Sequence, residues 1–563
     1  MAKRMLPKKL CVAALMAGTL LEGCATKPPM EAEATGEVVV TATRRADNAA
    51  TDGYALNAPA PVYTTAAPPP PPPAPMMASK AVQDGRYIHV PSVIVPTDPG
   101  RERYDGKEVS PVHLTRAEPV STFSVDVDTG AYTNARRFLT AGQLPPKDAV
   151  RTEEMINYFR YAYPLPQKRE APFSVTTDMA VTPWNAETRL LRVGLRGYDL
   201  PRSQRPPANL VFLVDVSGSM QDPDKLPLVK TALMGLAEEL KPQDRVSIVV
   251  YAGAAGLVLP PTNDKALIRA ALDQLQAGGS TAGGAGLQLA YEVARQSFIK
   301  DGVNRILLAT DGDFNVGVSD TKALLEMVEK QRDSGITLTT LGFGEGNYNE
   351  AMMEQIADQG NGNYAYIDSA LEARKVLAEQ MSSTLFTIAG DVKIQVEFNP
   401  AAVSQYRLVG YENRALREED FNNDKVDAGD IGAGHQVTAI YEIVPAGSKG
   451  WIGPRRYEET PATPGPAGSE LAFVKLRYKL PGESTSRLIE RPVARSLIAA
   501  AGAPRGDMAF AVAVAAYGQK LRGDPMLANF GWQQVSALAG EPSEFARAEF
   551  VKLVSLAGSL ARP

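Results

Sequence analysis

The chain is short of the residues that most catalytic and metal-storing proteins depend on. Among 563 residues there are two cysteines, three histidines and three tryptophans. Two cysteines exclude a disulfide framework and a cysteine-rich zinc module. The histidines His89, His113 and His435 are scattered, and none lies near a serine that could serve as a nucleophile. No Gly-x-x-x-x-Gly-Lys-Ser/Thr loop occurs, which argues against nucleotide hydrolysis, and no Gly-x-Ser-x-Gly elbow occurs either. Positive charge is not in excess. The formal net charge is −5, a poor match to nucleic acid. The amino terminus carries an apolar stretch, Cys11 to Leu21, that is too short to span a bilayer.

That stretch follows Lys3, Arg4, Lys8 and Lys9, the arrangement of an export signal. It ends in Leu21-Glu22-Gly23-Cys24 and resembles a bacterial lipoprotein signal, although Glu22 departs from the small or apolar residue usual there. The resemblance implies cleavage before Cys24, lipid on its thiol, and residence on a membrane of the bacterial envelope, at the periplasmic side of the outer membrane or the surface. Loss of residues 1–23 removes four positive charges and one negative charge, taking the net charge to about −8. Cys24 is then the only remaining cysteine.

What the sequence does have is a run of apolar residues, Leu210 to Val214, followed by Asp215-Val216-Ser217-Gly218-Ser219. A Val- and Leu-rich run of this kind reads as a parallel strand buried on both faces. Open α/β sheets place ligands at the carboxyl ends of such strands. Asp-x-Ser-x-Ser offers hydroxyl oxygens and a carboxylate, hard donors suited to Mg²⁺, Mn²⁺ or Ca²⁺. Further on come Gly278-Gly279-Ser280-Thr281-Ala282-Gly283 and, after the apolar stretch Arg305 to Thr310, Asp311-Gly312-Asp313.

In this order the three pieces resemble the von Willebrand factor A-domain family, over roughly Asn209 to Leu385. The resemblance implies a doubly wound α/β fold and a metal site formed by Asp215, Ser217, Ser219, Thr281 and Asp311, with Ser280 as an alternative to Thr281. It also implies an open coordination position for a carboxylate from a partner protein, hence adhesion or assembly and no enzymatic turnover. Two other readings stay open: a hydrolase using Ser217 or Ser219, and a structural envelope protein with no metal in the site. No nucleic acid or nucleotide partner is expected.

Around this domain the composition divides the chain. Residues 1–23 read as the signal and 24–117 as a disordered Pro/Ala-rich tether, with Pro68 to Pro73 unbroken. Within the tether, Glu37 to Arg45 resembles the segment by which TonB-dependent receptors engage their partner, but a segment so short is low in specificity and reads better as a β-prone stretch of linker. Residues 118–207 form an amino-terminal domain with strands near Phe173–Val181 and Leu191–Leu195, and helices over Ala131–Ala141 and Thr152–Tyr161. Residues 208–388 are the α/β domain, ending in a helix Leu371–Leu385. Residues 389–500 alternate as strands and 501–563 are helical, over Met508–Leu521, Pro525–Ala539 and Phe545–Leu560. Each strand set flanking the α/β domain has one apolar face and too few strands to cover it. The expectation is one β-sandwich-like domain, made of both flanks, with the α/β domain inserted in it. The order of parts from Pro119 onward resembles a bacterial exported subgroup of A-domain proteins whose flanking domains have no known function. Asp126 and Asp128 read as surface carboxylates, and Asp420 to Ile431 as a solvated turn. Asp507 and Asp524, in Arg-Gly-Asp triplets, read as helix caps.

Overall fold

A computed structural model describes residues 102–561 except 168–170, 280–282, 313–320, 347, 381–382, 384, 454–465 and 543. The Leu210–Val214 run lies in the strand Ala208–Asp215, near the centre of a six-stranded sheet. The sheet runs, in spatial order, Tyr364–Ile367, Ile336–Phe343, Val303–Thr310, Ala208–Asp215, Arg245–Tyr251 and Ala255–Thr262. Its first five strands are parallel. Alternation explains why the central strand is apolar throughout. Leu210, Phe212 and Val214 enter one hydrophobic core with Val229, Leu233 and Leu236 of helix Leu226–Glu238. Val211 and Leu213 enter another with Leu287 and Ala290 of helix Gly283–Gln296 and Leu324 and Val328 of helix Thr321–Arg332. This is the doubly wound architecture expected from the alternating elements.

One strand of this sheet escaped sequence reading, as did Val403–Val409 and Arg487–Ala494 of the flanking sheets. Ala255–Thr262 pairs antiparallel to Arg245–Tyr251 and forms the sheet edge. Leu257 and Val258 are exposed there, so no apolar alternation marks it, and Pro260 and Pro261 suit an edge that forms no further ladder.

Strands on both sides of the α/β domain build two antiparallel sheets. One is ordered His113–Leu114, Val403–Val409, Gln436–Pro445, Asn185–Gly197 and Phe173–Thr182. The other is ordered Ala415–Leu416, Val120–Ser124, Thr387–Phe398, Glu470–Lys479 and Arg487–Ala494. Leu191, Val193, Leu195, Val437 and Tyr441 share a core with Phe123, Ile394, Val396 and Val474. Each sheet interleaves strands from before residue 208 and after residue 386, so the α/β domain is inserted in the sandwich, as the unpaired apolar faces demand. Leu190 and Ile440 face the other way, into a helical layer. That layer joins Gly506–Arg522, Trp532–Ala539 and Phe545–Leu560 to the early helices Gly130–Thr140 and Thr152–Asn157, with Phe159, Phe510 and Phe550 edge to face.

Several expectations need correction. The second early helix stops at Asn157, not Tyr161; further on, the Tyr161 N–H and carbonyl pair with the Gln436 side-chain amide instead of a helical ladder. Pro525–Ala539 is not continuous: a single turn at Pro525–Leu527 is separated from Trp532–Ala539. The helix expected over Leu371–Leu385 starts as Ala370–Arg374 and widens to a π turn over Lys375–Glu379. Asp126 and Asp128 are buried, not on the surface, and Asp128 is paired with Arg414 at 3.0 Å. Asp524 caps its turn through Met526 N–H, but Asp507 lies inside its helix and accepts from Ala162 N–H and Arg547. Structure also reaches into the stretch read as tether. Arg103 N–H donates to the Tyr348 carbonyl, and His113–Leu114 pairs with the strand at Tyr406. Cys24 and Glu37 to Arg45 lie outside the described residues.

Candidate metal site

The strand Ala208–Asp215 delivers Asp215 to its carboxyl end, fully buried. Both carboxylate oxygens are held: Oδ1 accepts from Ser217 N–H at 2.8 Å and Oδ2 from the Thr310 hydroxyl at 3.0 Å. Thr310 ends the neighbouring parallel strand and also accepts from Gly312 N–H at 3.2 Å. Burial pushes the Asp215 carboxyl up to about 6; the Ser217 N–H opposes the shift and nearby Asp311 adds to it. A buried carboxylate raised in this way is one that a cation would relieve. Below it, Tyr251 lies fully buried, and Gly286 leaves room for its ring, since a Cβ there would stand 2.7 Å from the Tyr251 Cβ.

The turn after Asp215 brings Ser217 Oγ within 3.0 Å of Ser219 Oγ. Ser217 is buried and Ser219 half-buried, so the hydroxyl pair has a solvent-facing side. The turn is tied to its neighbours by backbone: Val216 N–H to the Tyr251 carbonyl, Gly218 N–H to the Gly279 carbonyl, and Gly278 N–H to the Val216 carbonyl. Thus Gly278-Gly279, which lead toward Thr281, lie against the serine turn. Thr281 itself, with Ser280, is outside the described residues.

Asp311 follows Thr310 and is buried. Its Oδ2 accepts from Lys225 Nζ at 2.9 Å, with both side chains nearly inaccessible. Gly312, at φ +89°, permits the backbone at Asn349 to approach: a Cβ there would lie 2.6 Å from Asn349 N. Four of the five residues read from the motifs therefore sit on two adjoining segments, the Asp215–Ser219 turn and the end of the Thr310 strand, with Gly278-Gly279 against the first. Paired hydroxyls beside two buried carboxylates form a hard-oxygen set that fits a divalent cation. Sequence reading missed Thr310, Tyr251 and Lys225. A signal existed for Lys225, which immediately precedes helix Leu226–Glu238, but its partner lies 86 residues away.

The same geometry bears on a serine nucleophile. Among the described residues, His113 contacts Glu118 and stacks on Tyr406, while His435 is half-buried and accepts from Gly432 N–H. Burial pulls His435 down to about 3, with Arg160 and Arg305 adding to the effect. Neither described histidine is a partner of Ser217 Oγ, which lies against Ser219 Oγ and the Asp215 carboxylate.

Comparison with known proteins agrees with this organisation. Residues 209–380 match the von Willebrand factor type A domain, and residues 98–192 match a family described as von Willebrand factor. Residues 383–560 match the family described as uncharacterized protein YfbK, C-terminal. The uncharacterized protein YfbK of Escherichia coli (strain K12) is 49% identical over 473 residues, covering 82% of each chain. Among solved structures, a von Willebrand factor type A protein from Catenulispora acidiphila matches 70% of this chain and 88% of its own, at 18% identity and TM-score 0.37. Proximal thread matrix protein 1 from the mussel byssus, described with a zinc-occupied MIDAS motif, matches 33% of this chain and 46% of its own, at 20% identity and TM-score 0.27.

Proposed function

The chain belongs to the YfbK family of von Willebrand factor type A domain proteins, and on that footing we propose that it is a metal-dependent protein-binding module of the bacterial cell envelope. The observation that carries this reading is the Ser217–Ser219 hydroxyl pair, 3.0 Å apart, set beside buried Asp215 and Asp311. Ser217, Ser219, Thr281, Asp215 and Asp311 would hold Mg²⁺, with Mn²⁺ or Ca²⁺ as alternatives. A bound cation supplies an electropositive point to which a partner's carboxylate is attracted.

The chain's own residues do the rest. Asp215 orients the serine turn through Ser217 N–H. Thr310 holds Asp215 from the adjoining strand. Ser219 keeps the hydroxyl pair open to solvent. The carboxylate beside Ser217 is Asp215, whose oxygens are held by Ser217 N–H and the Thr310 hydroxyl, an arrangement that suits holding a cation. A structural protein with an unused site remains the competing reading, and calorimetry separates the two. Mg²⁺ or Mn²⁺ should bind the wild type and not Asp215→Ala. A pull-down from envelope extract should lose its partners with EDTA and with Asp311→Ala, and regain the former on adding Mg²⁺. Partner lists unaffected by chelation would defeat the proposal.

Envelope residence rests on the signal ending at Cys24. Cys24→Ser should move the protein from the membrane to the soluble fraction and abolish palmitate labelling. A wild type already soluble and unlabelled would exclude the anchor.

A further inference from the structure

We propose that Lys225 is a built-in counter-charge of the metal site, one that weakens cation binding and strengthens the loaded site's hold on an anionic partner. The proposal rests on the metal-binding reading above. Its basis is a buried ion pair that the five-residue motif does not include. Lys225 Nζ lies 2.9 Å from Asp311 Oδ2, and the lysine side chain is 6% exposed against 1% for the aspartate.

This placement is built into two elements. Lys225 stands immediately before helix Leu226–Glu238, where its N–H donates to the Asp222 carbonyl and its own carbonyl accepts from Val229 N–H. From there the alkyl chain passes Gly344, the residue after strand Ile336–Phe343. A Cβ on Gly344 would run into Lys225 Cγ and Cε. Gly344 has φ +68°, and its carbonyl accepts from the Tyr366 hydroxyl at 2.7 Å, so the path over it is held open. A long, flexible cation has been given a dry channel to one carboxylate of the site. Lysine is ordinarily among the residues least often buried, and when buried it is paired.

Charge counting gives the consequence. Asp215 and Asp311 together balance a divalent cation. Without Lys225 the loaded site would be neutral among its nearest groups and would have little pull on a carboxylate. With the lysine it keeps one positive charge. The same charge opposes entry of the cation, and the ammonium already occupies one oxygen of Asp311. In a site screened from water such an effect is not small. Lys225 is thus a positioning and charge-setting residue, and it trades cation affinity for anion affinity.

The test compares wild type, Lys225→Met and Gly344→Ala as full chains. Mn²⁺ binding is measured alone by water-proton relaxation. Glutarate is then titrated into the Mn²⁺-loaded protein as the carboxylate probe. Lys225→Met should bind Mn²⁺ roughly tenfold more tightly and glutarate roughly tenfold more weakly. Gly344→Ala leaves every proposed ligand intact and pushes the lysine chain aside, so it should move both affinities in the same directions. Thermal denaturation in saturating Mn²⁺ identifies folded variants. If Lys225→Met is unfolded, the Gly344→Ala result decides. Weaker or unchanged Mn²⁺ binding in the folded variants would overturn the proposal and leave the metal-binding reading standing. A wild type that binds no Mn²⁺ would overturn both.

Discussion

The interior of the inserted α/β domain is apolar, whereas the joints among the α/β domain, the sandwich and the carboxyl-terminal part add buried ionic clusters. The interior strand Leu210–Val214 is aliphatic and aromatic throughout, with no exposed surface on either face. At the joints, buried ion pairs stand beside an apolar core that runs on from the α/β domain into the sandwich. Arg136, from an early helix, bonds Asp368 and Glu372 of the α/β domain and Glu549 of the last helix. Arg414, from the sandwich, bonds Glu354 and Asp358 of the α/β domain and Asp128 of the amino-terminal flank. Arg407 in turn locks sandwich residue Glu442 to Asp524 of the carboxyl-terminal part, at 2.8 and 2.7 Å and almost fully buried. Apolar contact is non-directional and tolerates sliding. A buried arginine with two or three carboxylates has few satisfying arrangements, so we take these clusters to select which surfaces meet.

If that contrast holds, the largest loss of stability comes from a joint. Arg407→Met keeps most of the volume and leaves Glu442 and Asp524 buried without their cation. The expected cost is about 3–5 kcal/mol, read as a lowered urea midpoint. A cost below about 1 kcal/mol would mean that apolar burial alone docks the carboxyl-terminal helices.

The matched change in the interior should be milder. Phe212 is buried between the central strand and its covering helices. Phe212→Leu remains apolar and loses only part of the ring volume, so about 1–2 kcal/mol is expected. Equal losses for Phe212→Leu and Arg407→Met would erase the contrast.

The same division explains what could be read from the sequence. Period and run length exposed the apolar strands, and through them the sheet and its insertion. Ser217 and Ser219 were legible because the residues sharing the turn are adjacent in sequence. Asp126 and Asp128 were misread as solvated because Arg414, which pairs with Asp128, comes 286 residues later. Lys225 and Gly344 were passed over for a like reason: the place of Lys225 before a helix does not reveal its partner, and the fit exists only once that helix start meets two strand ends. Long-range charge pairing leaves no periodic trace in one sequence, whereas alternating burial does.

The smallest effect, and the sharpest probe of the ionic region, is its pH response. Around Arg151 and Arg414 carboxylates outnumber cations. Glu153 is pushed up to about 8, first by burial and then by Glu412, Asp126 and Glu154. Glu350 is raised to about 8 by burial, against Arg151, and Glu154 to about 7 by burial, also against Arg151. Glu153 Oε2 has no hydrogen-bond partner, and of its neighbours Glu412 is already engaged by Arg522 at 2.8 Å. Each of these carboxyls holds its proton more tightly folded than unfolded. Between the ordinary carboxylate range near pH 4.5 and about pH 8, the folded protein therefore binds more protons, and its stability falls as pH rises. This contribution is fully present below that window and lost above it. Glu153→Gln removes one such group while keeping its shape. Urea titrations at pH 6 and pH 9 should show the wild type losing stability at the higher pH and Glu153→Gln losing measurably less. Identical pH slopes for the two proteins would mean that Glu153 is not protonated in the fold, and that the arginines neutralise the cluster unaided.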